Sequence, residues 1–496
     1  MIMKRIFLYS YLIAASLLSG CSFLDENPTD RLVTNNFYTN QKDAQSGVDA
    51  IYQEFYEIYK RQMYLMCDLP TDAMKNGLGM PNAFLQDLEF LRHNSENTFV
   101  RDMWKNNYSG VMRANAAINN IPGVTMDETL KARLIGEAKC LRALFYFNLV
   151  RFYGDVPLVL KLDNIDDAMG PRIDKEQVYG QIIADLTDAS QALPVSSDYS
   201  STDLGRVTKG AAKILLGKVY LTKGDYANAK STLAEVIENE GTYGYGLHQN
   251  YADNWNPATE TGKEAVLYVE FKPQPLVFNQ EMGLAGPKYS IPEPIGVAGS
   301  NEADIPTMEL YNAYDKNDLR WPVNFRTHFT NPNNGHEMES SIPLFGKYWQ
   351  EGLKAENQCE INMHIIRYAD ALLMYAEALN ELGESAKAHE VLNRVRERAY
   401  GDASGNYTGL SKDAFRDAIL KERWLEFPLE GHRWFDLVRM GKFVERMKEH
   451  SAYEASIAES NKTDIASNVK DHMILMPIPQ HEMDLNPELT QNPGWN

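Results

Sequence analysis

The chain has 496 residues, and its 68 acidic side chains outnumber 49 basic ones to give a net charge of −19. That excess excludes nucleic-acid binding by phosphate neutralisation and leaves no basic face to gather anionic lipid. The length accommodates two or three ordinary domains or one large repeat-like body.

The first 30 residues read MIMKRIFLYSYLIAASLLSGCSFLDENPTD. Lys4 and Arg5 make a short positive region, and the apolar run from Ile6 to Leu18 is short for a transmembrane span but fits a signal peptide. Leu18-Ser19-Gly20-Cys21 is a lipobox, with small residues for a peptidase cleft and a thiol to carry the lipid. The expectation is a bacterial lipoprotein with a signal peptide over 1–20 and a mature chain lipidated at Cys21. Loss of Lys4 and Arg5 with the leader takes the net charge from −19 to −21. Several acyl chains, at about 0.8 kcal/mol per buried methylene, make a firm anchor. The remaining cysteines, Cys67, Cys140 and Cys359, are odd in number and form no CxxC, which leaves room for at most one disulfide. They read as mostly free, buried and apolar in behaviour.

Residues 21–41 are polar and turn-like, a tether. From Lys42 to Tyr59, Ala44, Val48, Ile51, Tyr52, Phe55 and Tyr59 recur at helical spacing. Pro70, Gly77, Gly79 and Pro81 break residues 68–97 into a long irregular loop, and such loops are usually functional. A helix resumes from Thr98 to Ile121. The block Gly136 to Leu160 then carries Leu141, Phe145, Leu149 and Phe152 as a stripe, with Gly154 and Pro157 ending its helix. A further amphipathic helix runs from Lys175 to Leu193.

Residues 210–240 look like a tetratricopeptide repeat: Leu216-Gly217 and Tyr220 on one helix, Gly224-Asp225-Tyr226 at the turn and Ala229 on the next. Ala371, Tyr375, Ala378, Gly383 and Ala388 take comparable places in a second copy. Between the copies, residues 241–362 are rich in Pro, Gly, Asn and aromatics. This is a loop-rich excursion on a helical scaffold, with residues 265–271 its clearest strand. Ala414 to Met440 is again helical, and Pro477, Pro479, Pro487 and Pro493 force an extended tail. The fold class is therefore mainly α, with tetratricopeptide-like helix pairs forming a superhelical scaffold around an excursion that contains a little β. The helical parts fall over 42–240 and 363–496.

Five blocks together carry a resemblance: CSFLDENPTD after the lipobox, EAKCLRALFYFNLVRFYGDVPLV, RYADALLMYAEALNELG, ERWLEFPLEGHRWFDLVR and PIPQHEMDLNPELTQNPGW. In this order they resemble the RagB/SusD family of nutrient-binding outer-membrane lipoproteins, and they span the chain from 21 to 495. The resemblance implies a single body of about four tetratricopeptide-like helix pairs. It implies an anchor in the outer leaflet of the outer membrane, facing the exterior, and a place as the lid of a SusC-like TonB-dependent β-barrel transporter. Asp25-Glu26 is similar to the acidic signals that send such lipoproteins to the surface. The ligand implied is an oligosaccharide, or in some members a peptide, and the family members are not enzymes.

The family builds its site from the early loop and the excursion. Sugars present CH faces and hydroxyls, so flat rings with amide, carboxylate or guanidinium rims suit them. By composition the candidates are Asp72, Lys75, Asn76, Asn82 and Phe84 in the first loop, and Phe278, Asn279, Tyr289, Trp321 and Arg326 in the excursion. Residues 331–339 line the mouth or form a tip. Trp104, Trp255, Trp424 and Trp434 read as core, and Glu137, Arg142, Arg151, Asp155, Glu422, Arg423, Arg433 and Asp436 as structural ion pairs and turn contacts. No GxSxG, GxxxxGK[ST], HExxH or strand-borne GxGxxG occurs, and no histidine pair has metal-ligand spacing. No cofactor is expected; residues 315–318 (DKND) offer calcium-type oxygens but lack EF-hand spacing and glycine. The alternatives are a peptide-capturing lid on the same scaffold and a repeat scaffold that only organises proteins.

Overall fold

The computed structural model describes residues 37–77, 82–161, 165–273, 279, 301–331, 334–457 and 465–495. Cys21, Phe278 and Tyr289 lie outside them.

Asn40 accepts from the amides of Lys42 and Asp43 and so starts α1, Gln41–Tyr59. After α2, Gln62–Cys67, the segment expected to be irregular contains a short strand, β1 (Met74–Asn76), and a helix, α3 (Ala83–Glu89). The helix forms because the Asn82 side chain caps its first turn. Long helices follow: α4 (Thr98–Asn120), α5 (Glu128–Tyr153), α6 (Lys175–Ala192), α7 (Lys209–Thr222) and α8 (Tyr226–Ile237). Gly154 ends α5 at φ 72, a conformation that favours glycine.

The stripe expected on α5 is instead a helix buried on nearly every side from Gly136 onward, because α1, α4, α6 and α7 all pack against it. Pairs α7–α8 and α11–α12 (Tyr368–Glu381 and Ser385–Tyr400) pack directly. At the first crossing, a β-carbon on Gly217 would stand 2.6 Å from Leu233 Cγ, so the small residue of the repeat pattern sets how closely the helices approach.

The excursion carries β2 (Ala265–Val269), β3 (Asp304–Pro306), α9 (Met308–Asn312), a single turn α10 (Trp321–Asn324), β4 (Phe325–Thr330) and β5 (Glu337–Phe345). The strands form antiparallel pairs: β1 with β3, β4 with β5, and β2 with β6 (Met363–Arg367). The stretch read as one helix from 414 to 440 is two, α13 (Lys412–Glu426) and α14 (Arg433–Arg439). Between them Leu429 and Gly431 adopt φ 59 and φ 71 and turn the chain inside the protein. Beyond α15 (Phe443–Ser456), the described residues include a single turn, Ile465–Asn468, and a short helix in the proline-rich tail, Gln480–Leu485.

Trp434 is fully buried and stacks on Phe152 at 5.5 Å, joining the C-terminal helices to α5. Trp104 and Trp255 are also core, while Trp424 is half-buried under Arg433. Cys67, Cys140 and Cys359 are free and buried.

Beneath the excursion lies a network of buried charges. Arg320 reaches Glu422 at 2.7 Å and Glu426 at 2.9 Å; Arg367 reaches Glu264 at 2.7 Å, Glu426 at 2.8 Å and Glu430 at 2.8 Å. Lys347 bonds Glu430 at 2.7 Å and the Pro428 carbonyl at 2.7 Å. Removing one member of such a set leaves an uncompensated buried charge, at a cost of about 3–5 kcal/mol. Glu137, Arg142 and Arg423 likewise hold structural pairs, with Arg206, Asp185 and Asp436. Arg151 differs: it lies over the rings of Phe147 and Phe435 at 3.9 and 3.7 Å.

Candidate functional site

Strand β1 of the first loop pairs with β3 of the excursion, with Lys75 opposite Ile305. β3 in turn packs against β5, so the loop and the β4–β5 hairpin form one face. Gly77 continues the seam by donating its amide to the Ala303 carbonyl at 2.7 Å. Asp304 fixes β3 to α2, accepting from Arg61 at 2.6 Å and Tyr64 at 3.0 Å.

Asp72 sits under this seam rather than on it. It is fully buried and accepts two hydrogen bonds of 2.7 Å from Arg433 and one of 2.6 Å from Arg446. Burial alone would raise its pKa, but the Arg433 and Arg446 guanidiniums hold the carboxyl well below the usual range. Arg446 continues to Glu309 on α9, which also meets His450 Nδ1 at 2.7 Å. Asp72 therefore locks the loop, the excursion and α15 together and has no exposed atom for a ligand. Asn279 is corrected in the same way: it is fully buried, and its side chain donates to the Ile361 carbonyl at 2.7 Å.

The other described candidates reach the surface to differing degrees. Lys75 is partly exposed and bonds Glu454 at 2.8 Å. Asn76 donates its amide to Glu89, whose carboxyl burial pushes up to about 7 against the opposing pull of Lys75. The Asn82 side chain is engaged as the α3 cap, accepting from Phe84 N at 2.9 Å. Phe84, in the first turn of α3, is 36% exposed, and among the described residues no other Phe, Tyr or Trp is as open.

On the excursion, Trp321 is half-buried with its ring centre 5.3 Å from that of Tyr311, in the packed turn its flanking sequence suggests. Arg326 pairs with Glu351 and lies 5.6 Å from the centre of the Trp349 ring. Of residues 331–339, the described ones, 331 and 334–339, lie between β4 and β5 and run into the start of β5, with His328 and Glu339 exposed across the strands. Asp318, in the DKND stretch, is buried beneath Arg320 at 2.7 Å. Among the described residues no group of three or more His, Cys, Asp or Glu is placed to hold a metal ion.

Sequence reasoning missed Trp349, which is half-buried, lies 5.1 Å from Phe329 and leaves its buried indole N–H without an acceptor. It also missed Tyr311 and Tyr453, the latter accepting from Asn312 at 3.0 Å. The Tyr348-Trp349-Gln350 triplet just past β5 was the available signal. The resulting face offers partly exposed rings beside ammonium, guanidinium and amide groups, a combination suited to a neutral, hydroxyl-rich ligand.

Residues 311–495 match the model of the SusD family, and residues 22–221 match a second model described as starch-binding associating with outer membrane. SusD-like protein P2 of Formosa agariphila is 27% identical, over 98% of this chain and 99% of its own. A laminarin binding SusD-like protein of solved structure is 27% identical, with a TM-score of 0.75 over 92% of this chain and 100% of its own. A SusD homolog from Bacteroides thetaiotaomicron is 25% identical, with a TM-score of 0.81 over 93% and 98%.

Proposed function

Because the chain belongs to the SusD/RagB family, we propose that it is a surface lipoprotein that captures a glycan and passes it to a SusC-like TonB-dependent transporter. The observation that carries the glycan part is the pair of family models, one of them described as starch-binding, together with full-length likeness to a laminarin binding protein. Cys21 is the lipid anchor in this reading, and no described helix is long and apolar enough to cross a membrane.

The seam face binds the sugar. Phe84, Trp321 and Trp349 supply rings for CH faces, while Lys75, Asn82 and Arg326 approach hydroxyls at the rim. Phe278 and Tyr289 remain candidates for the same role. Nothing in this reading requires bond-making: the ligand is bound, held and handed on.

Isothermal titration calorimetry of the mature chain against laminarin, starch oligosaccharides and other glycans, with a peptide mixture as control, tests the capture step. Saturable heat from one glycan class, weakened by Phe84→Ala or Trp349→Ala, supports it. Heat from peptides alone replaces it with the peptide-lid alternative. Co-purification of a TonB-dependent barrel with the lipoprotein from outer membranes tests the hand-over, and its absence removes that step.

A further inference from the structure

Where the end of α5 meets α7 and the start of α14, two small cavities of about 10 and 20 Å³ border the same three side chains, Arg151, Lys218 and His432. Neither cavity shares a residue with the β1–β3 seam. We propose that this junction binds one monatomic anion, chloride, held by Arg151 Nη1, Lys218 Nζ and His432 Nε2.

Among the described residues, each of the three keeps a hydrogen that no protein group accepts. Arg151 lies between the rings of Phe147 and Phe435, which fix its plane. It gives Nε to the Phe147 carbonyl at 3.1 Å and Nη2 to Asn148 at 2.8 Å, and Nη1 is left over. Lys218 Nζ gives one hydrogen to Asp370 at 2.9 Å and one to His432 Nδ1 at 3.3 Å, and it has a third. His432 Nδ1 also lies 3.5 Å from Arg423 Nη2. Ammonium and guanidinium groups only donate, so Nδ1 accepts, and the ring proton is assigned to Nε2, which has no acceptor. Arg151 Nη1 and His432 Nε2 are open to the cavities rather than sealed in packing.

Charge favours an anion over water. Arg151, Lys218, Arg423 and Arg439 stand against Asp370, Glu377 and Asp436, an excess of one positive charge. Arg151 is the cation that meets no carboxylate, and a guanidinium taken out of water without a counter-charge is costly. Glu430, beside the second cavity, is already held by Lys347 and Arg367. Asp68 accepts from the Gly431 amide at 3.4 Å, and burial lifts its carboxyl to about 7, so at neutral pH it returns only part of a charge. Size then selects the ion. Cavities of this volume take one particle on the scale of a water molecule, which excludes phosphate, sulfate or a ligand carboxylate. The ion ties the end of α5 and α7 to α14 and so fastens the N-terminal helices to the C-terminal ones.

The assignment does not depend on the glycan reading. Its test is thermal unfolding of the purified mature chain at constant ionic strength, with sodium methanesulfonate replaced stepwise by sodium chloride or sodium bromide. The expected result is a saturable rise in the midpoint of about 1–3 °C with either halide. The rise should vanish in Arg151→Gln and persist in Lys387→Gln, which removes an exposed cation of α12 outside the junction. Should Arg151→Gln fail to fold, a bromide-soaked crystal of the wild type decides, with an anomalous peak expected between Arg151 and Lys218. Halide and methanesulfonate midpoints that coincide, a halide shift that survives Arg151→Gln, or a junction without a bromide peak overturns the proposal.

Discussion

A β-carbon placed on Gly77 would stand 1.8 Å from the Glu302 carbonyl oxygen. The two backbones meet there because the first loop and the excursion are stitched by β1 and β3, and only a residue without a side chain permits the approach. Gly77→Ala should therefore pry the seam apart. The expected outcome is a loss of glycan affinity of about tenfold or more with secondary structure retained, read by calorimetry beside circular dichroism. Unchanged affinity would place the ligand elsewhere.

Phe84 separates binding from stability. Its ring is partly exposed, so Phe84→Ala should change unfolding free energy by about 0.5 kcal/mol or less while weakening glycan binding by about 1–2 kcal/mol. Urea titration and calorimetry on the same preparation distinguish the two effects.

Asp72 should behave in the opposite way. Asp72→Ala strands Arg433 and Arg446 beneath the seam and is expected to cost about 3–5 kcal/mol of stability. Because its carboxyl is held below the usual range, the stability it contributes is present at neutral pH and lost only as pH falls through that depressed value. Equilibrium unfolding of wild type and variant across acid pH measures it.

Glu89 carries a pH dependence of the reverse sign. Burial lifts its carboxyl from 4.5 to about 7, so the folded protein holds the proton more tightly than the unfolded chain does. Its contribution is fully present below about pH 4.5 and is lost as pH rises through 7. Glu89→Gln should flatten the decline between those values and raise stability at pH 8 by about 2 kcal/mol relative to wild type. Denaturant midpoints at pH 5 and pH 8 decide it; a parallel shift at both would remove the assignment.

The helical scaffold was legible because periodic apolar residues, small residues at crossings and glycine stops are local signals: the stripe of α1, Gly217 opposite Leu233 and Gly154 after α5 could all be read directly. The two corrected site candidates failed for a shared reason. Composition shows that Asp72 and Asn279 are polar, but whether a polar group faces water depends on partners far along the chain, as Arg433 is from Asp72 and Ile361 from Asn279. Trp349 was missed for the complementary reason, since its place beside Arg326 follows from hairpin register rather than from neighbouring sequence. The break between α13 and α14 was legible in Pro428 and Gly431 and was read through; only the left-handed conformation of Leu429 has no signal in its own residue type.

The buried charges beneath the excursion join residues as distant in the chain as Glu264, Arg320, Lys347, Arg367, Arg398 and Glu430. Opening any one of these segments exposes its partners as bare charges in an apolar interior, so each holds the others shut. Local opening of these segments is then more costly than fraying at a loop that holds no buried charge. A protease that cuts whatever chain frays would find few loosened segments among them.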